Sequence, residues 1–122
     1  MEATKKYELS NETIVFNGVT LHRIKALKDF SDVKAGDFGG WVEKEDNLSQ
    51  IGDAWIGGNA KVYGNAVVFG NARVDENADV FGQAKVYDNA RVDGNAKVFD
   101  SAEIYSNTLV FGNAEIYGNA KV

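Results

Sequence analysis

The sequence predicts an all-β fold: a parallel β-helix (β-solenoid) of about four triangular coils behind a small N-terminal β-hairpin cap. Three observations predict it. A six-residue repeat runs without insertion from Gly52 to Val122, one slot of that repeat is always Val or Ile, and an Asn-Gly pair separates two strand-like runs near the N-terminus. We therefore expect two parts, a cap over residues 1–47 and a solenoid over residues 48–122.

Each repeat has the chemistry of a short strand followed by a corner. Its third residue is almost always Ala and its fifth is Val or Ile, so both side chains face the same side of a strand. The Gly and Asn that follow tolerate the left-handed backbone angles of a corner. Three repeats make a triangular coil of 18 residues, and stacked coils bury the apolar side chains that a single repeat leaves exposed.

The cap is predicted from its turn. Residues 13–16 and 19–24 are strand-like, and Asn17-Gly18 between them favours a hairpin with a type I′ turn. A short helical or irregular stretch is expected over residues 25–32. A solenoid end exposes strand edges and core side chains, so this segment is interpreted as the cover of that end.

The 18-residue period sorts the outward side chains onto three faces. Two faces carry aromatic residues, and we predict these as the interaction surface: Tyr63, Phe81, Phe99 and Tyr117 on the first, with Phe69, Tyr87 and Tyr105 on the second. The alternative is that these aromatic ladders only stabilise the coils. Charges alternate in sign beside them on the first face. The third face carries a predicted charge patch of Arg73, Asp75, Arg91 and Asp93. The last coil ends in Ile116 and Val122, and we expect this end to pair with a second copy.

The repeat over residues 62–67, Val-Tyr-Gly-Asn-Ala-Val, resembles the hexapeptide-repeat family of left-handed parallel β-helices, although Tyr63 replaces the usual small residue. The N-terminal motifs narrow the resemblance to the YdcK-like group of bacterial and phage proteins, often labelled transferases or polymer-forming proteins. Those motifs lie at residues 28–36, 39–42, 47–50 and 52–56. The resemblance implies a left-handed coil and a phage or prophage origin, and it supplies no catalytic residues.

Composition excludes several classes of function. There is no Cys and only one His, His22, so we expect no metal site, no thiol chemistry and no cofactor. The formal net charge is −5 and no basic stripe exists, which argues against direct nucleic-acid binding. Apolar runs are too short to cross a membrane, and the N-terminus lacks a signal peptide's apolar segment. We expect a cytoplasmic protein, in the host cell if a phage encodes it.

The leading hypothesis is a non-enzymatic scaffold or protein-binding module that forms a homodimer or trimer, with a host protein as another possible partner. A second hypothesis is a phage-encoded inhibitor of a host nuclease or defence protein, acting as an acidic rod. A third is a hexapeptide-type acyltransferase. Enzymes of that type use a His as general base between neighbouring solenoids, and here His22 lies in the hairpin rather than in a coil. We therefore expect no enzymatic activity.

Overall fold

The computed structural model describes residues 5–122, and within that range the regular elements are β-strands apart from one short 3₁₀ helix. A 3₁₀ helix at Glu45–Asn47 follows the third strand. The strands are β1 Tyr7–Phe16, β2 Val19–Ala26, β3 Phe38–Val42, β4 Trp55–Ile56, β5 Lys61–Val62, β6 Val67–Val68, β7 Arg73–Val74, β8 Asp79–Val80, β9 Lys85–Val86, β10 Arg91–Val92, β11 Lys97–Val98, β12 Glu103–Ile104, β13 Leu109–Val110 and β14 Glu115–Ile116. No helix in this range is long and apolar enough to span a membrane.

The short strands stack in parallel into three sheets, one for each face of a solenoid. The first face runs β3-β5-β8-β11-β14, the second β6-β9-β12 and the third β4-β7-β10-β13. Adjacent rungs are 18 residues apart in sequence, as Lys61, Asp79 and Lys97 show. The prediction of a β-solenoid of about four coils is confirmed, and the left hand implied by the resemblance stays a prediction.

The core is a single column of Ala and Val or Ile side chains. Every Ala, Val and Ile in the third and fifth slots from Ala54 to Ile104 is fully buried. The predicted inward slots are therefore confirmed. Because like residues lie above like residues, the interior between the three sheets is filled by side chains alone, as in other close-packed cores.

Acidic residues occupy three of the corners where the repeat usually places Gly. Asp100 has φ 59°, and its Oδ2 accepts a hydrogen bond from the backbone N–H of Gly118 in the next coil, at 3.0 Å. The same bond joins Glu76 to Gly94 and Asp88 to Ser106. A left-handed backbone angle is unfavourable for these residue types, and a hydrogen bond from carboxylate to backbone offsets that cost.

The N-terminal hairpin is confirmed, including its type I′ turn. Asn17 and Gly18 have φ of 53° and 80°, and β2 continues the first face by pairing antiparallel with β3. Of the helical or irregular stretch expected over residues 25–32, the irregular alternative is correct: β2 continues to Ala26, and no helix follows it in this segment. The chain turns tightly there instead, because Phe30 and Val33 exchange two backbone hydrogen bonds around Ser31, whose φ is 48°.

The solenoid ladder begins before the hexad pattern does. Val42 already lies in register with Val62, and Leu48 forms an isolated bridge with Val68. Cap and coils therefore share one sheet and one continuous core. The division between residues 47 and 48 stays a prediction.

Two buried polar side chains fasten the cap to the first coil. Lys6 is 1% exposed, and its Nζ donates to the carbonyl oxygens of Gly52 and Ala54 at 3.2 and 2.7 Å. Asn47 is fully buried and uses its side-chain amide entirely on backbone groups. Both side chains thus hydrogen-bond to backbone groups that a regular neighbouring strand would otherwise pair.

Candidate functional site

The aromatic side chains of the first face form one continuous stack. Ring centroids are 5.1 Å apart from Tyr63 to Phe81, 5.1 Å from Phe81 to Phe99 and 5.4 Å from Phe99 to Tyr117, with interplanar angles of 4°, 4° and 14°. We call this stack the first aromatic row. The predicted 18-residue sorting of these side chains onto one face is confirmed, and rungs about 4.8 Å apart place like rings directly above one another.

Stacking decides which part of each ring faces the solvent. Inside the row, both faces of Phe81 and Phe99 are covered by their neighbours, so only ring edges remain outward. A sugar ring or a nucleic-acid base binds an aromatic side chain through its face. The row therefore presents an apolar strip suited to packing against a protein surface and poorly suited to stacking recognition.

The hairpin covers the N-terminal end of the first aromatic row. Tyr63 is only 9% exposed, because the edge of Phe16 packs against it at 5.9 Å and Leu21 and Trp41 complete a small cluster. Sequence reasoning placed Tyr63 on the open surface with the rest of the row. The accessible part of the row increases toward Tyr117, which is 58% exposed.

The second aromatic row, Phe69, Tyr87 and Tyr105, has centroids 4.9 and 5.6 Å apart. The Tyr87 hydroxyl donates to Glu103 Oε1 at 2.9 Å, and this hydrogen bond raises the pKa of Tyr87. Part of the second row is thus tied to the charged side chains of its own face.

A charged row runs beside the aromatic row on the first face: Lys61, Asp79, Lys97 and Glu115, each in register with the next. Asp79 Oδ1 is a buried atom without a hydrogen-bond partner among residues 5–122. Burial raises the pKa of Asp79, while Lys61 and Lys97 on the adjacent rungs lower it. Within the described residues, the lysines on the adjacent rungs therefore act on this carboxylate by charge alone, without an ion pair.

On the third face, the four residues of the predicted charge patch do not form one site. Arg73 and Arg91 are adjacent in the ladder, and Arg73 Nη1 binds Asp32 Oδ1 of the cap at 2.7 Å. Arg73 Nε lies 3.8 Å from Asp75 Oδ2 and has no hydrogen bond within the part of the chain that the structure describes. The hydrogen bond from Arg73 lowers the pKa of Asp32, and burial raises the pKa of Asp75.

The two arginines line a polar cleft of about 440 Å³ where the cap loop meets the third face. We call it the charged cleft, and its lining residues are Ser31, Asp32, Asp53, Asn71, Arg73, Asn89 and Arg91. Asp75 and Asp93 of the predicted patch are not among them. Sequence reasoning missed Asp32, which lies 41 residues from Arg73 and carries no motif.

The remaining predicted residues lie apart from this cleft. Ile116 is half-buried and packs against the core, and Val122 is 41% exposed. Their role in pairing with a second copy stays a prediction. His22 lies in β2, between Thr13 and Val42, and does not line the cleft.

Comparison with known proteins gives one partial match. The chain is 42% identical over 60 residues to YdcK of Escherichia coli (strain K12), a protein named an uncharacterized acetyltransferase. The chain is a hexapeptide-repeat β-solenoid. The match covers 43% of this chain and 18% of YdcK, so the chain spans about a fifth of the relative's length. No family model matches it.

The relative corrects one expectation about the solenoid. We expected no enzymatic activity, because the coils contain no His; the match to a protein named an acetyltransferase contradicts this. The physical weakness of that argument is that a general base need not be a His. A carboxylate whose pKa is raised, as burial raises those of Asp75 and Asp79, also accepts protons. The expected phage origin stays a prediction.

Proposed function

We propose that the protein is a protein-binding β-solenoid that pairs with a second copy of itself, first face against first face. The observation that carries the proposal is the order of charges in the row Lys61, Asp79, Lys97 and Glu115. A row that reads plus, minus, plus, minus becomes minus, plus, minus, plus when it is reversed. An antiparallel copy therefore opposes each charge with its opposite, as a two-fold interface requires.

The centre of this arrangement places a second lysine opposite Asp79, a half-buried residue without an ion pair. In an antiparallel pair, Asp79 faces Lys97 of the second copy, and Lys97 faces Asp79. None of the ion pairs within 4.0 Å found in the described range involves Asp79, although lysines lie on both adjacent rungs. A lysine of the second copy would add a positive charge in front of the half-buried Asp79 side chain, on its solvent side.

The aromatic row supplies apolar contact in the same geometry. A two-fold axis along the strand direction keeps the lateral order of the rows, so charged row packs on charged row and the open part of the aromatic row packs on its equivalent. Tyr63, which Phe16 covers, takes no part in this contact. Phe81 then opposes Phe99 of the second copy. Aromatic side chains are enriched in protein interfaces, and the outward ring edges fit this kind of packing.

Charge reversal tests the proposal. Lys97→Glu gives three acidic residues in succession, so we expect the dimer, of twice the 13.3 kDa chain mass, to dissociate in light scattering. Lys85→Glu is the matched control, because Lys85 is also exposed, also precedes a buried Val and also faces a glutamate on the next rung. We expect it to leave the dimer intact.

A compensating variant separates contacts between chains from repulsion within one chain. Asp79→Lys combined with Lys97→Glu gives plus, plus, minus, minus, which is again complementary to its own reverse. We expect this double variant to recover the dimer. A parent protein that is monomeric at all concentrations contradicts self-association. A dimer that survives Lys97→Glu, or that the double variant does not recover, contradicts the antiparallel arrangement. A trimer would favour an interface on the second face. A monomer would favour the hypothesis that the partner is a host protein.

Acetyl transfer is the second candidate function, favoured by the name of the partial relative. Its test is loss of the acetyl-CoA thioester in the presence of the protein and candidate amine or hydroxyl acceptors. Transfer above the protein-free rate supports it, and saturable binding of acetyl-CoA without transfer would leave only a binding role.

A further inference from the structure

In the charged cleft, a carboxylate of the chain itself already binds one of the two arginines. Asp32, an exposed residue of the cap loop, places its Oδ1 2.7 Å from Arg73 Nη1. This contact is a charge-assisted hydrogen bond between a carboxylate and a guanidinium on the surface of a parallel ladder. It demonstrates that the third face accepts an anion at the rung of Arg73.

Arg91 repeats that site one rung further along without an internal anion. It is the ladder partner of Arg73, so the two backbones lie about 4.8 Å apart. Arg91 is exposed, lines the same cleft, and takes part in no ion pair within 4.0 Å among residues 5–122. Two arginines directly opposite one another repel, and an anion held at Arg91 would relieve that repulsion.

The other polar residues of the cleft favour a ligand that carries further polar groups beside its anionic group. Asp53 and Asp32 offer carboxylate oxygens, and Asn71, Asn89 and Ser31 offer amide and hydroxyl groups. The lining holds two acidic and two basic side chains, so its formal charge is zero and a bare inorganic anion gains little there. A molecule that carries hydroxyl groups beside its anion donates hydrogen bonds to those oxygens.

We propose that the charged cleft binds a sugar acid or sugar phosphate, with the anionic group on Arg91 and the hydroxyl groups on Asp53, Asn71 and Asn89. Both ligands share an anion attached to a polyol, which is the chemistry that the cleft complements. A volume of about 440 Å³ falls in the usual range of small-molecule sites. This site lies on the third face, so it is independent of the self-association proposed for the first.

Calorimetric titration with glucose 6-phosphate, glucuronate and glucose tests the site. We expect saturable binding of glucose 6-phosphate, of glucuronate or of both, and much weaker binding of glucose. We call these two anionic sugars the acids. Which acid binds identifies the source of the anion. Arg91→Gln is expected to weaken binding by about tenfold, the effect of losing a charge-assisted hydrogen bond. Lys85→Gln removes an exposed cation from another face and is expected to change nothing.

A gain of affinity provides a second test that misfolding cannot imitate. Asp32→Asn removes the negative charge that competes with a ligand anion at Arg73, and it keeps the size of the side chain. We expect the acid to bind several-fold more tightly. The proposal is overturned if neither acid binds, if glucose binds as well as they do, if Arg91→Gln binds normally, or if Asp32→Asn weakens binding.

Discussion

Asn47→Ala is expected to lower the free energy of unfolding by about 3 kcal/mol, because it leaves three backbone groups at the start of the solenoid without a hydrogen-bond partner. The backbone N–H of Glu43 keeps its bond to the carbonyl oxygen of Val62 at 3.3 Å. Asn47 Oδ1 accepts from the backbone N–H groups of Glu43 and Lys44 at 3.1 and 2.9 Å. Its Nδ2 donates to the carbonyl oxygens of Gly64 and Ala66 at 3.3 and 2.8 Å. Each group left without a partner costs about 1–3 kcal/mol.

Urea unfolding followed by tryptophan fluorescence measures this effect. Asn59→Ala is the matched control, because Asn59 is exposed and its side-chain amide makes none of the hydrogen bonds found among residues 5–122. We expect the control to change stability by less than about 0.5 kcal/mol. If the two variants unfold at the same urea concentration, the buried amide is not what fastens the cap.

Between pH 8 and 10, the free energy of unfolding is expected to rise by up to about 2.5 kcal/mol through Lys6 alone. Burial lowers the pKa of Lys6 from 10.5 to about 8, the nearby Lys28 adds to this effect, and Asp53 opposes it. Above pH 8 the folded chain has lost a proton that the unfolded chain still holds. Stability therefore increases with pH until the unfolded lysine also deprotonates near pH 10.5.

Tyr7 limits this gain at higher pH. Burial and the nearby Glu45 raise the pKa of Tyr7 far above its ordinary value of 10. Above pH 10 the unfolded tyrosine ionises while the folded one stays neutral, so the unfolded state holds fewer protons and stability falls. The two contributions together place the optimum for the cap near pH 10.

Lys6→Met identifies the source of the pH dependence. Methionine has a similar length and packs well against Phe30, whose ring lies 5.1 Å from Lys6 Nζ, but it does not titrate. Urea unfolding from pH 7.5 to 10 should then lose the rise that the parent shows. Lys5→Met is the control, since Lys5 is exposed in an ion pair with Glu45. An unchanged slope in Lys6→Met would assign the pH dependence to other groups.

The solenoid could be predicted from sequence because its determinants are local and repeated. Ala and Val two residues apart set the buried side of each strand, and the Gly-Asn corner sets its length. Eighteen residues later the same slots recur, so the stacks of rings and charges follow from counting. The prediction succeeded wherever one coil meets the next.

The cap and the charged cleft could not be predicted in the same way. Lys6 and Gln50 contact residues more than 40 positions away through single side chains, and such pairs leave no periodic signal. Asp32 reaches Arg73 for the same reason. The burial of Tyr63 depends on where the hairpin tip lies, because Phe16 covers it only after the hairpin folds over the first face.

The alternating charges of the first face have a consequence for how solenoids of this kind change in length. The backbone conformation repeats after one coil of 18 residues. The charge on the first face repeats only after two coils, from Lys61 to Lys97. Excising residues 67–84 would preserve every inward slot and yet place Lys61 beside Lys97. Tolerated insertions and deletions should therefore come in units of two coils, an evolutionary step twice as long as the structural one.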